Sequence, residues 1–137
     1  MKIGLLSYRS NPFSGGQGIY IKHLSTSLAR LGHEIDVISG PPYPELEGCI
    51  NLIKIPSLNL FELEDKSRLR SFRIEFLNNF TNLVEWASVL SGGFPEPYSF
   101  GRRVENFLNE KGKKYDVIHD NQSLCYSLLN IQKTLPL

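Results

Sequence analysis

The chain has 137 residues, a length that suits one domain and leaves no room for two. Hydrophobic residues make up 41% of the chain and charged residues 21%, so it can form a core and lacks the composition of a disordered protein. The formal net charge of +1 gives no reason to expect a nucleic-acid partner.

The cysteines and the apolar runs bear on localisation. Cys49 and Cys125 match no metal-ligand spacing and predict reduced thiols in a cytoplasmic protein. The apolar start of the chain is too short for a signal peptide, and no apolar run approaches the roughly 20 residues that cross a bilayer. We therefore expect a cytoplasmic protein whose membrane contacts, if it makes any, are peripheral.

The first part of the chain predicts the start of a βαβ unit. A short apolar run, Ile3–Ser7, is typical of a buried parallel strand, and a glycine-rich loop, Ser10–Gly18, follows it. Helical spacing then gives one apolar stripe, which Gly32 ends: Ile21, Leu24, Leu28 and Leu31. Two further strands are predicted, Glu34–Ser39 and Asn51–Ile55.

The rest of the chain continues the alternation of helix and strand less regularly. Up to about residue 90, an apolar series suggests one long amphipathic helix or two shorter ones: Leu69, Phe72, Phe76, Phe80 and Leu83. After a break at Gly92–Pro97, another helix ending near Gly112 is predicted from Phe100, Val104, Phe107 and Leu108. A fourth strand, Tyr115–His119, is followed by a helix predicted from Leu124, Leu128 and Ile131.

These elements predict an α/β fold in which helices flank a Rossmann-like parallel sheet. Parallel strands joined by such crossovers leave their carboxyl ends on one edge of the sheet, and open α/β sheets bind ligands there. We therefore expect the functional site at that edge.

The loop after the first strand is the most informative local feature. Gly15, Gly16 and Gly18 let the backbone come close to a ligand, and the helix N-terminus behind them offers free N–H groups that suit a phosphate. A purely structural tight turn is the alternative that this pattern leaves open. A dinucleotide fingerprint is excluded, because Ile21 stands where its third glycine belongs, and the P-loop consensus is absent as well.

Several motifs, in the same order along the chain, resemble the start of family-4-type glycosyltransferases with the GT-B fold. They are Leu5–Ser10, Gly15–Tyr20, Leu31–Glu34, Gly40–Pro44, Gly93–Pro97 and Tyr115–Gln122. The resemblance covers nearly the whole chain and is weakest between about Asn59 and Val84.

The resemblance implies transfer of a hexosyl group from a nucleotide-sugar donor to an acceptor, usually with retention at the anomeric carbon. It also implies two Rossmann-like domains across a cleft, of which residues 1–137 would be the amino-terminal, acceptor-side domain in truncated form. The carboxy-terminal domain, which would hold the nucleotide and carry paired glutamates, would be absent, so this chain alone is expected to be inactive. No cofactor or metal is expected besides the donor.

Positions that match the family carry the expected contacts. Gly15, Gly16 and Gly18 match a loop near the donor diphosphate. The expected acceptor-binding residues are Tyr8, Arg9, Gln17, His119, Asp120, Asn121 and Gln122. The resemblance assigns no catalytic residue to this chain.

One position departs from the family pattern. Many relatives carry a histidine near the reacting centre where this chain has Asn121, which puts a direct histidine role in doubt. Asn and Gln side chains can still donate and accept hydrogen bonds to sugar hydroxyls. Without the resemblance, His119 and Asp120 would be interpreted as ordinary strand-end residues.

Other interpretations stay open. Instead of a glycosyltransferase domain that works with a carboxy-terminal half, the chain could be a non-catalytic remnant or binding module, or a small nucleotide-binding protein using the glycine loop alone. A basic patch, Arg68, Arg70 and Arg73, is interpreted as a solvated helix face, with docking on an anionic membrane as the less favoured alternative.

Overall fold

Parallel strands form the centre of the fold. The computed structural model describes residues 1–60, 72–111 and 115–133, and its strands are β1 (Lys2–Ser7), β2 (Glu34–Ser39), β3 (Asn51–Lys54) and β4 (Val117–Asp120). They lie in the order β3-β2-β1-β4 with every pairing parallel, which confirms the predicted α/β fold with a Rossmann-like sheet.

Helices cover both faces of this sheet. They are α1 (Gly16–Arg30), a 3₁₀-helix (Ile74–Asn78), α2 (Phe80–Leu90), α3 (Glu96–Lys111) and α4 (Ser127–Gln132). Side chains of β1 alternate between the faces, so Leu5 packs with Ile21 of α1, whereas Leu6 packs on the other face with Val104 of α3 and Ile131 of α4. None of the helices in the described ranges is long and apolar enough to cross a membrane.

Some boundaries differ from the predictions. Helix α1 begins at Gly16, inside the predicted loop, and Gly15 is its N-cap. Leu31 follows the helix as its C-cap residue and is 73% exposed, so the prediction that it belongs to the apolar stripe is wrong. Leu124 lies before α4, is 88% exposed and has a φ of 44°, so it does not belong to the apolar face of that helix either.

Asn79 separates the helices of the middle segment. Its side-chain oxygen accepts hydrogen bonds from the N–H groups of Thr81 and Asn82, which is how an N-cap residue starts a helix. Phe76 is buried, but Phe80 is 65% exposed, so the predicted apolar stripe does not run through both. Some residues named in the sequence predictions lie outside the described ranges: Arg68, Leu69, Arg70 and Gly112.

A buried carboxylate ties the strands together towards their amino ends. Asp36 is 3% exposed, and it accepts hydrogen bonds from the hydroxyl of Tyr115 (2.8 Å) and from the side-chain amide of Asn51 (2.7 Å). The ammonium of Lys2 lies 4.0 Å from the same carboxylate. Burial and the hydrogen bond to Asp36 raise the pKa of the Tyr115 hydroxyl far above its usual range, so this hydroxyl remains a donor.

Replacing Tyr115 with phenylalanine tests this tie. Tyr115→Phe removes the hydroxyl and leaves a buried carboxylate oxygen with fewer donors, so we expect the free energy of unfolding to fall by about 1–3 kcal/mol. Urea denaturation measures it. Tyr126→Phe is the matched control, because Tyr126 is 84% exposed, and it should change stability by less than about 0.5 kcal/mol. Equal stability of the two variants would contradict the role assigned to the hydroxyl.

Candidate functional site

Two adjoining depressions lie at the carboxyl edge of the sheet, around the start of α1. The smaller one, of about 260 Å³, is lined by Tyr8, Arg9, Asn11, Ser14, Gly15, Gly16 and Gln17. The larger one, of about 580 Å³, is lined by Gly16, Gln17, Tyr20, His119, Asp120, Asn121 and Gln122. Because Gly16 and Gln17 line both, we treat the two depressions together as one cleft. Every residue of the predicted site except Gly18 lines this cleft.

The backbone at Gly15 and Gly16, which we call the glycine bend, is open towards the cleft. Gly15 has a φ of 79°, a conformation that residues with a side chain rarely adopt. A Cβ added at Gly15 or at Gly16 would meet no atom within 4 Å. The bend is therefore not filled by neighbouring side chains, and a ligand has room to approach its backbone.

Gly18 is glycine for a different reason. A Cβ at this position would lie 2.2 Å from the carbonyl oxygen of Asn11 and 2.8 Å from that of Ser10. The first turn of α1 can therefore pack against the loop backbone only because Gly18 has no side chain. For Gly18, therefore, the alternative interpretation of the glycine-rich loop as a purely structural turn is sufficient.

The N-terminus of α1 offers donors to the cleft. Gly15 provides no side-chain cap, and the first turn contains no acidic residue. The first backbone N–H groups of a helix have no partner within the helix, and together with the helix dipole they favour an anion such as a phosphate. The loop before them is shaped by Asn11, whose side-chain oxygen accepts hydrogen bonds from the N–H groups of Phe13 (2.8 Å) and Ser14 (3.2 Å).

Buried serine hydroxyls stabilise the backbone where the chain leaves β1. The hydroxyl of Ser10 donates to that of Ser7 (2.7 Å). The hydroxyl of Ser39 lies 3.3 Å from that of Ser10 and donates to the carbonyl of Gly40 (2.9 Å). All of these serines are fully buried. Sequence reasoning missed them, because serine at or just after the end of a strand is more often a sign of an exposed turn.

Tyr8 and Arg9 lie in the smaller depression with contacts that limit their freedom. The Tyr8 ring packs edge-on against Phe94, with ring centroids 6.1 Å apart. The guanidinium of Arg9 lies 3.5 Å from the carboxylate of Glu96, which is 8% exposed and lies in the first turn of α3. Arg9 therefore connects the loop after β1 to α3 in addition to lining the cleft.

The residues after β4 form the far wall of the cleft. The backbone N–H of Asn121 donates to the carbonyl of Leu6 (2.9 Å), so the chain continues the pairing with β1 beyond the end of β4. The side-chain amide of Gln17 donates to that of Gln122 (3.2 Å), which joins α1 to this wall. Tyr20, which the sequence predictions did not include, lines the larger depression from the second turn of α1. Its position at the end of the Gly15–Tyr20 motif is the sequence feature that could have identified it as a cleft residue.

A separate cavity of about 460 Å³ lies between the segment after β3 and helices α2 and α3. There the guanidinium of Arg103 donates to Asn82 (2.7 Å) and to Glu85 (2.6 Å), and Glu85 is 1% exposed. This cavity contains none of the predicted site residues. The buried ion pair between Arg103 and Glu85 connects α2 to α3, so it has a structural explanation.

The cleft offers binding groups of several kinds. Its lining combines amides, hydroxyls, an imidazole and a helix N-terminus, which suit an anion beside a polyhydroxylated molecule. Among the described residues, no three His, Cys, Asp or Glu side chains lie close enough to hold a metal ion. The expectation that no metal or cofactor takes part stays a prediction.

Comparison with known proteins identifies a homologous enzyme. No protein-family model matches the chain. The chain is 44% identical over 134 residues to the MMP alpha-(1->4)-mannosyltransferase of Mycolicibacterium hassiacum. The match covers 97% of this chain and 32% of the relative, so the chain spans about a third of the relative's length. It is therefore homologous to a glycosyltransferase over nearly its whole length.

Substitutions of Gly18 and Gly16 distinguish a glycine that packing requires from one that leaves room for a ligand. Gly18→Ala forces a Cβ against the Asn11 backbone, and we expect it to destabilise the fold by about 1–3 kcal/mol, as overpacking does. Gly16→Ala places its Cβ in open space within α1, and it should leave stability unchanged or raise it by up to about 1 kcal/mol. Thermal and urea unfolding measure both. A loss of stability in Gly16→Ala equal to that in Gly18→Ala would refute this assignment.

Proposed function

We propose that this chain is the acceptor-side domain of a retaining glycosyltransferase of the family-4 type with a GT-B fold. The enzyme would transfer a mannosyl group from a nucleotide sugar to an acceptor hydroxyl. The observation that carries the proposal is the 44% identity to a mannosyltransferase over 97% of the chain. The open glycine bend beside a polar cleft supports it, because the site suits a diphosphate next to a sugar.

The two parts of the cleft have different roles in this proposal. The donor diphosphate lies against Gly15 and Gly16, where N–H groups of α1 stabilise its negative charge. The acceptor lies in the larger depression, and the amides of Gln17, Asn121 and Gln122 hydrogen-bond its hydroxyls. The oxygen of the acceptor hydroxyl forms a new bond to the anomeric carbon, and the bond from that carbon to the diphosphate oxygen breaks with its electrons going to the nucleoside diphosphate. The proton of the hydroxyl passes to the departing diphosphate.

A second domain is a necessary part of the proposal. No residue that lines the cleft is a glutamate, and Asp120 is its one carboxylate among the described residues. The paired glutamates and the nucleotide site are therefore proposed to lie in a further domain. Rate enhancement requires donor and acceptor to be held together, so the chain by itself is expected not to turn over.

A chimera tests the proposed function. The chain is fused to the part of the M. hassiacum relative that it does not match, and transfer is assayed with GDP-mannose and UDP-glucose as donors. We expect mannosyl transfer by the chimera and none by the chain alone. In the chimera, Gly16→Ala should lower kcat/KM by about tenfold or more, which corresponds to about 1.4 kcal/mol.

The control is Tyr126→Phe in the same chimera, since Tyr126 lies away from the cleft lining and is 84% exposed. A folded chimera that transfers sugar from neither donor would count against the proposal. Binding of a nucleotide sugar without turnover would favour the alternative of a binding module.

A further inference from the structure

The turn after β4 has an unusual backbone. Gln122 has a φ of 63° and Leu124 a φ of 44°, and both are residues that adopt the left-handed region at a cost. Such a conformation persists only where neighbouring interactions hold it in place. In this turn the side chain of Asp120 makes those interactions.

The Asp120 carboxylate is occupied by its own turn. One oxygen accepts hydrogen bonds from the N–H groups of Ser123 (3.0 Å) and Leu124 (3.4 Å), and the other accepts one from the Ser123 hydroxyl. Ser123 is 2% exposed, so water does not compete freely for its N–H and its hydroxyl. We call this set of hydrogen bonds the Asp120 clamp.

The clamp encloses the residues that face α1. The side-chain nitrogen of Asn121 is buried and has no hydrogen-bond partner within the described part of the chain, and Asn121 lines the larger depression. Gln122 accepts a hydrogen bond from Gln17 through its side-chain oxygen. The placement of both amides depends on the course of the backbone between Asp120 and Leu124.

We propose that Asp120 is a positioning residue: it holds the turn so that the amides of Asn121 and Gln122 face the acceptor, and it does not bind the acceptor itself. This differs from the sequence-based expectation that Asp120 contacts the acceptor. The identity of the bound molecule as an acceptor rests on the proposed function, whereas the clamp rests on the geometry alone.

The first experiment tests the clamp without any activity. Hydrogen exchange of the Ser123 and Leu124 amides is measured in the chain and in Asp120→Ala, and we expect exchange to be faster by about tenfold or more in the variant. Asn121→Ala serves as the control that keeps the clamp. The side-chain amide NMR signals of Asn121 and Gln122 should shift in Asp120→Ala. Unchanged exchange or unchanged amide signals would overturn the proposal, whether or not the chimera transfers sugar.

The second experiment separates positioning from direct contact. In the chimera, Asp120→Ala should lower kcat/KM by about tenfold, whereas Asp120→Asn, which keeps an oxygen acceptor for the turn, should stay within about threefold of the parent. If the charge of Asp120 contacted the acceptor, Asp120→Asn would lose as much as Asp120→Ala, and the proposal would fail.

A rescue variant completes the design. Glycine adopts a positive φ without steric cost, and the Leu124 side chain is 88% exposed, so Leu124→Gly removes strain and little else. Asp120→Ala/Leu124→Gly should recover part of kcat/KM and restore the amide signals, and Leu124→Gly alone should match the parent. A rescue variant as impaired as Asp120→Ala contradicts the positioning role. Absence of transfer in the parent chimera refutes the proposed function instead, and the exchange and NMR data then decide on the clamp.

Discussion

The parallel register of β1 with its neighbours determines where every group of the cleft lies. Because Ser7 pairs with Ser39 and Leu6 with Asp120, the chain leaves β1, β2 and β4 at the same edge of the sheet. Backbone hydrogen bonds extend this register past the strands, from Gly40 N–H to Ser7 and from Asn121 N–H to Leu6. A shift of one residue would move the wall after β4 away from the start of α1.

Close packing on the protein side of the glycine bend leaves its other side open to the cleft. The buried hydroxyls of Ser7, Ser10 and Ser39 bond to one another and to nearby backbone carbonyls, and the N–H of Ser10 donates to the carbonyl of Pro42 (2.9 Å). On the same side, Gly18 lets α1 approach Asn11. With these groups fixed beneath it, the backbone at Gly15 and Gly16 has no side chain over it and faces the cleft.

Sequence reasoning predicted the strands and the common edge where their carboxyl ends lie, because apolar runs and parallel topology leave few alternatives. It failed where a contact distant in sequence or a side-chain bond to the backbone decides the structure. Glu85 is buried in α2 because distant groups pair with its carboxylate: the guanidinium of Arg103, 18 residues away, and the backbone N–H of Leu58. Leu124 is exposed because the Asp120 side chain bends the backbone before α4. The start of α1 at Gly16 was equally hidden, since glycine has no helical preference.

The charged groups around the cleft indicate which functional groups this chain provides and which the proposed second domain has to provide. Glu96 is paired with Arg9, and Asp120 is bonded to its own turn, so both carboxylates near the cleft serve the architecture. What remains for a ligand are neutral amides, hydroxyls, the imidazole of His119 and the N–H groups of α1. In the proposed function such groups orient an acceptor and stabilise a diphosphate, whereas the described residues that line the cleft include no spare carboxylate to assist at the anomeric carbon. In the proposed enzyme that assistance comes from the second domain, across the cleft from this chain.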